Sequence, residues 1–353
     1  MKRAKYLLVY ALPISVFFAF NSEGIMTFLP IILFFGILPI IELLIKPDRS
    51  NIDDESAQKE KDNPFYSWIM FLALPIQITS LIYFFFIINE TTMGSVEYVG
   101  RILSMGLMCG VLGINIGHEL GHRSNRIEQF IGEVLLLTSL NTHFLPYHNS
   151  GHHFEVATPN DAATAGKNQL LFTFWFTSHF GSYIKAWRIE NKRMLKNGRA
   201  QFSLYNKMIQ YSIANIAIIT VIYLFFNLGV VVAFILAASI GILLLETVNY
   251  IEHYGLLRKK NDSGRYERVQ HNHSWNSDHP LGRLLLFNLS RHSDHHYKAS
   301  TKYQLLKSMP ESPQMPTGYP GMMVFSLFQP LWFYVMNKKL ERINTDNYEN
   351  NDM

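Results

Sequence analysis

Six long runs almost without charge, at 6–20, 25–45, 66–88, 102–117, 208–226 and 228–245, constrain this chain more than any other feature. Crossing a hydrocarbon core of ~30 Å takes about 20 apolar residues as a helix. The runs therefore predict an all-α integral membrane protein with about six transmembrane helices. Only Glu42, near the end of the second run, interrupts them with a charge. The first and fourth runs are short and are expected to extend into flanking polar residues. The opening run has no small-residue cleavage site and another span follows it closely, so it reads as a retained helix rather than a signal peptide. Hydrophobic residues at 48% and charged residues at only 16% fit this division into apolar runs and polar segments.

Lysine and arginine orient the runs. If Lys2, Arg3 and Lys5 are cytoplasmic, the outer loops are 21–24, 89–98 and the turn at Asn227, none of which holds a Lys or Arg. That is the positive-inside arrangement of a bacterial-type inner (plasma) membrane protein, with Arg101 as the departure from it. The threading makes residues 1–353 a single membrane domain. Segments 118–207 and 246–321 form a cytoplasmic helical cap, and the loop 46–64 and the C-terminal tail 337–353 are polar and read as solvated or mobile. No nucleic-acid partner is expected. The lone Cys109 excludes a disulfide, an iron–sulfur cluster or a thiolate zinc finger built from one chain, and reads as a small buried apolar residue.

The same threading gathers the histidines on one side. Of fourteen in the chain, nine fall into tight groups: His118 and His122; His148, His152 and His153; His253; and His292, His295 and His296. On a helix, positions i, i+3 and i+4 share a face, so each group can aim its rings at one point. Nine imidazoles exceed one zinc ion's four-ligand shell and argue for two metals. Imidazole suits iron, zinc, copper and nickel alike. Within Gly117-His118-Glu119-Leu120-Gly121-His122 lies His-Glu-x-x-His, the pattern in which two histidines bind zinc and the glutamate is the general base of a metalloprotease. That reading leaves His148, His152, His153, His292, His295 and His296 without a role. Of the other five histidines, His143 sits in the apolar stretch 135–147, read as re-entrant or interfacial, and His179 among Phe172, Phe174, Trp175, Phe176 and Phe180. Packing or a hydrogen bond explains both. His271, His273 and His279 are left as non-ligands.

Several segments resemble the membrane-bound alkane 1-monooxygenases, within the integral-membrane fatty-acid desaturase and hydroxylase superfamily. They are His118-Glu-Leu-Gly-His122-Arg123; His148-Asn-Ser-Gly-His152-His153 followed by Val156-Ala-Thr-Pro-Asn-Asp161; the stretch 249–258; His273-Ser-Trp-Asn-Ser277; Leu289-Ser-Arg-His292-Ser-Asp-His295-His296; and Met315-Pro-Thr-Gly-Tyr-Pro-Gly-Met322. The resemblance implies a non-haem di-iron enzyme that inserts one atom of O2 into the terminal C–H bond of an alkane. Its two Fe ions would be held by His118, His122, His148, His152, His153, His253, His292, His295 and His296. Glu119, Asp161, Glu252, His273 and Asp294 are candidates to orient those rings or offset charge, with Asp278 a weaker one. The resemblance also implies electrons from rubredoxin, itself reduced by a rubredoxin reductase. The substrate would be a medium-chain alkane reaching the metals through an apolar channel from the lipid bilayer. A carrier of that kind is usually acidic. Two basic clusters face it: Lys185, Arg188, Lys192, Arg193, Lys196 and Arg199, which suit anionic lipid headgroups equally well, and Arg258, Lys259, Lys260, Arg265 and Arg268, the favoured docking surface. A membrane lipid desaturase or hydroxylase is the alternative that shares the histidine pattern.

Overall fold

A computed structural model describes residues 3–90 and 93–349. Lys2, part of the loop at 89–98 and the last four residues of the tail lie outside the described residues. In chain order come α1 (Ala4–Phe20), α2 (Gly24–Leu44), α3 (Pro64–Ile88), α4 (Ser95–Gly121), α5 (Arg126–Leu137), α6 (Leu171–Lys196), α7 (Lys207–Phe225), α8 (Leu228–His253), α9 (Pro280–Leu285), α10 (His292–Tyr297), α11 (Tyr319–Ser326) and α12 (Gln329–Glu349). Among the described residues no strand forms, and only Lys260 with Tyr266 and Asn276 with Gln314 make isolated bridges.

Five helices, α2, α3, α4, α7 and α8, are long and apolar enough to cross a membrane, and α1 is shorter. The run at 102–117 is lengthened at both ends into α4, and the run at 228–245 continues as one helix to His253. Asparagine marks the polar starts of three of these helices. The side chains of Asn63, Asn206 and Asn227 accept the backbone N–H groups of Phe65, Met208 and Val230 at 3.1, 2.9 and 3.1 Å. Each satisfies a donor that a helix start leaves unpaired, which matters most where lipid begins.

α4 is the axis of the bundle. Within its apolar window 72% of residues are buried, against 11% in α2 and 17% in α7. Glycine lets α8 approach it at backbone distance: a Cβ on Gly241 would stand 2.8 Å from Cys109 Cβ and 2.9 Å from the Gly110 nitrogen. α5 crosses the far end of α4 in the same manner, where a Cβ on Gly132 would meet the Gly117 carbonyl at 2.8 Å. Such small-residue seams let helices pack through backbone contact in lipid, where apolar burial gives no preference for a neighbouring helix over an acyl chain. Cys109 is buried in this seam as a free thiol, in line with its apolar reading.

Two polar segments are more ordered than their composition implied. In the stretch 46–64, Asp54–Glu60 is a helix capped by Asp53. Asp48 takes Arg283 at 2.8 Å, and Asn51 accepts the Ser308 N–H at 2.7 Å, so the exposed loop is tied across the cap. The tail from 337 to 349 continues α12 instead of running loose. Its Leu340 is buried against Gly255, where the left-handed backbone (φ +71°) leaves no room for a side chain.

The glycine seam yields a test with an internal control. Gly241→Val should lower stability by about 1–3 kcal/mol or more, because overpacking here meets backbone and not a movable side-chain end. Gly36→Val, on α2 with nothing within 4 Å of its added Cβ, should leave the melting temperature nearly unchanged. Thermal unfolding in lipid nanodiscs compares the two, and equal melting temperatures would refute the seam as a stability determinant.

Candidate metal centre

The bundle's polar end brings all nine clustered histidines together as two adjoining groups. His118, His122, His148, His153 and His295 form one, and His152, His253, His292 and His296 the other; within each, one nitrogen per ring lies within 4.8 Å of every other. Four elements supply them. α4 ends just after His118, α8 ends at His253, α10 begins at His292, and a short helix Phe144–Tyr147 runs into a π-helical turn over His148–His152.

The sequence neighbours His152 and His153 go to different groups, as do His295 and His296. Consecutive helical side chains diverge by about 100°, so each adjacent pair straddles the boundary and hands one ring to each side. The π turn adds a residue per turn, which explains why His148 and His153, five apart, share a group while His118 and His122, four apart on ordinary helix, do so too.

The nitrogens converge as ligands would. Nε2 of His118 is 2.9 Å from Nε2 of His122; that of His153 is 3.3 Å from His122 and 3.0 Å from His148. In the second group the His152–His296 and His253–His292 separations are both 3.1 Å. Two nitrogens bonded to one metal at about 2.0–2.1 Å, 90–110° apart, would be separated by about 2.9–3.4 Å. Burial pushes the pKa of His295 down to about 3 and those of His148, His153, His292 and His296 well below the ordinary imidazole value. Burial thus favours the neutral form of these five rings, the form that binds metal. Nε2 of His295 is buried with no hydrogen-bond partner, as a nitrogen reserved for a metal would be. The donor set fits two transition-metal ions.

Support around the rings is uneven. Asp161 Oδ2 accepts from Nδ1 of His152 at 2.9 Å, and its carboxylate also takes the Tyr147 and Thr164 hydroxyls. Burial alone would raise the Asp161 carboxyl, but the His152 ring and those hydroxyls hold it well below the usual carboxylate range. A carboxylate at Nδ1 fixes the tautomer and leaves Nε2 as the donor toward the metal. Glu252 differs: its Oε2 lies 3.1 Å from Nε2 of His292, on the converging side of the ring, while Oε1 accepts the Tyr319 hydroxyl at 2.8 Å. The remaining candidates reach no clustered ring nitrogen in any hydrogen bond. Glu119 forms a buried ion pair with Arg123 at 2.8 Å and accepts the Tyr303 N–H. Asp294 faces His271 and the Lys307 N–H, and His273 takes the Gln270 N–H and meets Glu267. Asp278 accepts from Ser308 and lies near Arg291. Glu119 is engaged by Arg123 and Tyr303 rather than by a clustered ring.

Spacing did not single out Tyr147, Tyr319 or Ser274, whose hydroxyl lies 3.5 Å from His253 Nδ1. Each is nonetheless in or beside a segment that carries the family resemblance. His143 and His179 stand apart from both groups. Their rings are 5.0 Å apart, and His143 Nε2 contacts the Ser182 hydroxyl at 3.4 Å. His143 lies in the stretch 135–147, which is made of the end of α5, a left-handed turn at Leu140 (φ 53°) and the helix from Phe144, whereas His179 lies on α6.

An apolar cavity reaches both groups. Phe34, Phe35, Leu107, Val111, Leu244 and Val248 wall it, and His118, His148, Glu252 and His292 close one end. A second basic feature is altered by the fold: Arg258 is buried, donating to the Phe154 and Glu267 carbonyls at 2.7 and 3.0 Å, so it braces the loop beside His153 rather than the surface. Lys259, Lys260, Arg265 and Arg268 are exposed.

Residues 97–326 match the family described as fatty acid desaturase. Alkane 1-monooxygenase 1 of Pseudomonas aeruginosa is 37% identical over 95% of this chain and 88% of its own length. The chain belongs to the alkane 1-monooxygenase family. Alkane 1-monooxygenase 1 of Alcanivorax borkumensis is 36% identical over 86% of this chain and 75% of its own. The hydroxylase component of a xylene/toluene monooxygenase from Pseudomonas putida is 28% identical over 69% of this chain and 64% of its own. As a member of this family the chain is a multi-pass membrane enzyme with histidine clusters able to hold metal.

The ligand groups predict separable losses of metal. His153→Ala and His292→Ala, one from each group, should each lower the metal content of purified protein by up to one equivalent, while His179→Ala should leave it unchanged. Asp161→Asn keeps the shape but weakens the hold on His152, and a loss of metal affinity of about 10–100-fold is expected. Metal analysis after graded chelation measures all four. Equal behaviour of His179→Ala and His292→Ala would refute the assignment.

Proposed function

We propose that this chain is a rubredoxin-dependent non-haem di-iron monooxygenase that converts the terminal methyl of a medium-chain alkane to a primary alcohol. The observation that carries the reading is an apolar cavity ending on two adjoining all-histidine groups in a member of this family. The balanced reaction is RH + O2 + 2 e− + 2 H+ → ROH + H2O. When bound, two irons would supply reduction of O2 and attack on the C–H bond. Five histidines, His118, His122, His148, His153 and His295, would hold one, and His152, His253, His292 and His296 the other, with Glu252 near enough to offset positive charge.

The chain's own part is placement and exclusion. An alkane offers no polar handle, so the cavity must fix it by shape, through Phe34, Phe35, Leu107 and Val111. The same walls keep bulk water from the reacting carbon. Asp161 and its tyrosine keep His152 facing inward, so the ligand shell needs little rearrangement during turnover. The membrane arrangement proposed with this is a single domain whose cap, 118–207 and 246–321, lies on the cytoplasmic side of a bacterial inner membrane, supported by the absence of Lys and Arg from the opposite loops.

Two electrons must come from outside, since one cysteine cannot build a rubredoxin centre. Lys259 and Lys260 sit on the exposed loop that follows His253 by a few residues, and charge there would steer an acidic carrier.

Two measurements test the reading. Purified protein should contain about two irons and turn an n-alkane into the 1-alcohol only with O2, rubredoxin and its reductase; an unsaturated product would instead indicate desaturation. Charge reversal by Lys259→Glu with Lys260→Glu should slow rubredoxin-driven turnover several-fold at low salt, less at high salt, with iron content unchanged. Parent-rate turnover at low ionic strength would show that the carrier docks elsewhere.

A further inference from the structure

One polar group in the cavity wall has no assigned use. Asn115 lies on α4 at the last position of the π-helical turn Cys109–Asn115, three residues before His118, and both line the apolar cavity. The residue is 8% exposed, and its Nδ2 is fully enclosed without a hydrogen-bond partner. The other cavity asparagine, Asn249, is already engaged, its Nδ2 donating to Glu246 Oε2 at 3.2 Å. An amide N–H2 enclosed among apolar side chains costs free energy unless something accepts from it. The π turn is itself a departure from ordinary helix of the kind that re-aims a residue at a functional site. Asn115 lines the cavity beside His118, so a turn of its side chain brings this unspent donor to the histidine end of a cavity whose alkane substrate contains no acceptor.

We propose that Asn115 binds the oxygen of the product: its Nδ2–H donates to the hydroxyl oxygen of a primary alcohol whose chain lies in the cavity. The inference rests on the hydroxylase reading and adds a positioning residue to it. Before reaction the alkane cannot use the amide; after reaction the new hydroxyl oxygen can accept from it. The cavity then holds a terminal alcohol more tightly than apolar burial alone would dictate, making the site prone to product inhibition and able to retain oxygenated chain ends.

Equilibrium binding separates this role from a structural one. Full-length protein in nanodiscs, with no electron donor present so that nothing turns over, is titrated with radiolabelled 1-octanol and with n-octane. Asn115→Leu, similar in shape but without a donor, should weaken 1-octanol binding about three- to tenfold while n-octane binding holds or improves, and metal content stays at the parent value. Asn115→Ala, which only removes atoms, serves if the leucine variant does not fold. An unchanged alcohol-to-alkane affinity ratio in the folded variant overturns the proposal. The parent enzyme, supplied with rubredoxin, its reductase and n-octane, reports separately on the hydroxylase reading: absence of 1-octanol would sink that reading, whereas 1-octanol formation with an unchanged ratio sinks only the role of Asn115.

Discussion

Bringing nine imidazoles out of water until their nitrogens lie about 3 Å apart, as at His118–His122, is unfavourable unless something binds them. No ring can become charged without meeting another, and burial suppresses protonation of His153, His292 and His295. A neutral, crowded donor set is poor as protein interior and good as a metal shell. The rest of the fold serves to hold four separate chain segments in that crowd. α4 and α8 deliver His118 and His253 because their backbones touch at Gly110 and Gly241. A wider helix spacing there would draw the two groups apart.

Sharing is the second consequence. The pairs His152–His153 and His295–His296 each contribute to both groups, so neither group can form while the other is displaced. A single rigid-body shift of α10 would remove rings from both. The cap is braced accordingly. Arg291, next to His292, donates to the Leu306 and Ser50 carbonyls, and Arg283 bonds Asp48 and its carbonyl. The polar loop between α2 and α3 thus acts as a strap over the segment that carries three of the histidines.

Much of this was legible in the sequence, for physical reasons that differ by element. The apolar runs give the spanning helices because nothing else of that composition satisfies its backbone in lipid. The histidine groups stand out because no ordinary core or surface needs so many imidazoles in register. Order in polar segments was harder to read. The 46–64 loop and the start of the tail have the composition of solvated chain, and their anchors, Asp48 with Arg283 and Leu340 against Gly255, are contacts hundreds or tens of residues away. Acidic candidates divided in the same way. Asp161 and Glu252 meet clustered histidine rings, whereas Glu119, inside the most conspicuous motif, is bound to Arg123 on the next turn of chain. A spacing rule finds residues that share a face but does not say which way a carboxylate turns. The basic cluster after His253 shows the same limit, since Arg258 is buried while Lys259 beside it is exposed.

The junction between membrane and cap depends on Glu42, the charge that interrupts the second apolar run. It is fully buried near the end of α2, and its Oε1 accepts the Gly282 N–H at 2.7 Å at the start of α9. Gly318 packs so closely that a Cβ there would stand 1.8 Å from Oε2, leaving no room for any other residue. Beside it, Leu285 of α9 and Pro320 and Met323 of α11 form part of the cavity wall. A carboxylate that would be costly in lipid is used to seal the cap onto the bundle at the wall of the substrate cavity. The cavity is therefore neither a gap between spans nor a pocket in the cap but a space enclosed by both, which is how an apolar chain held among membrane helices can present one end to histidines carried at the helix ends and in the cap.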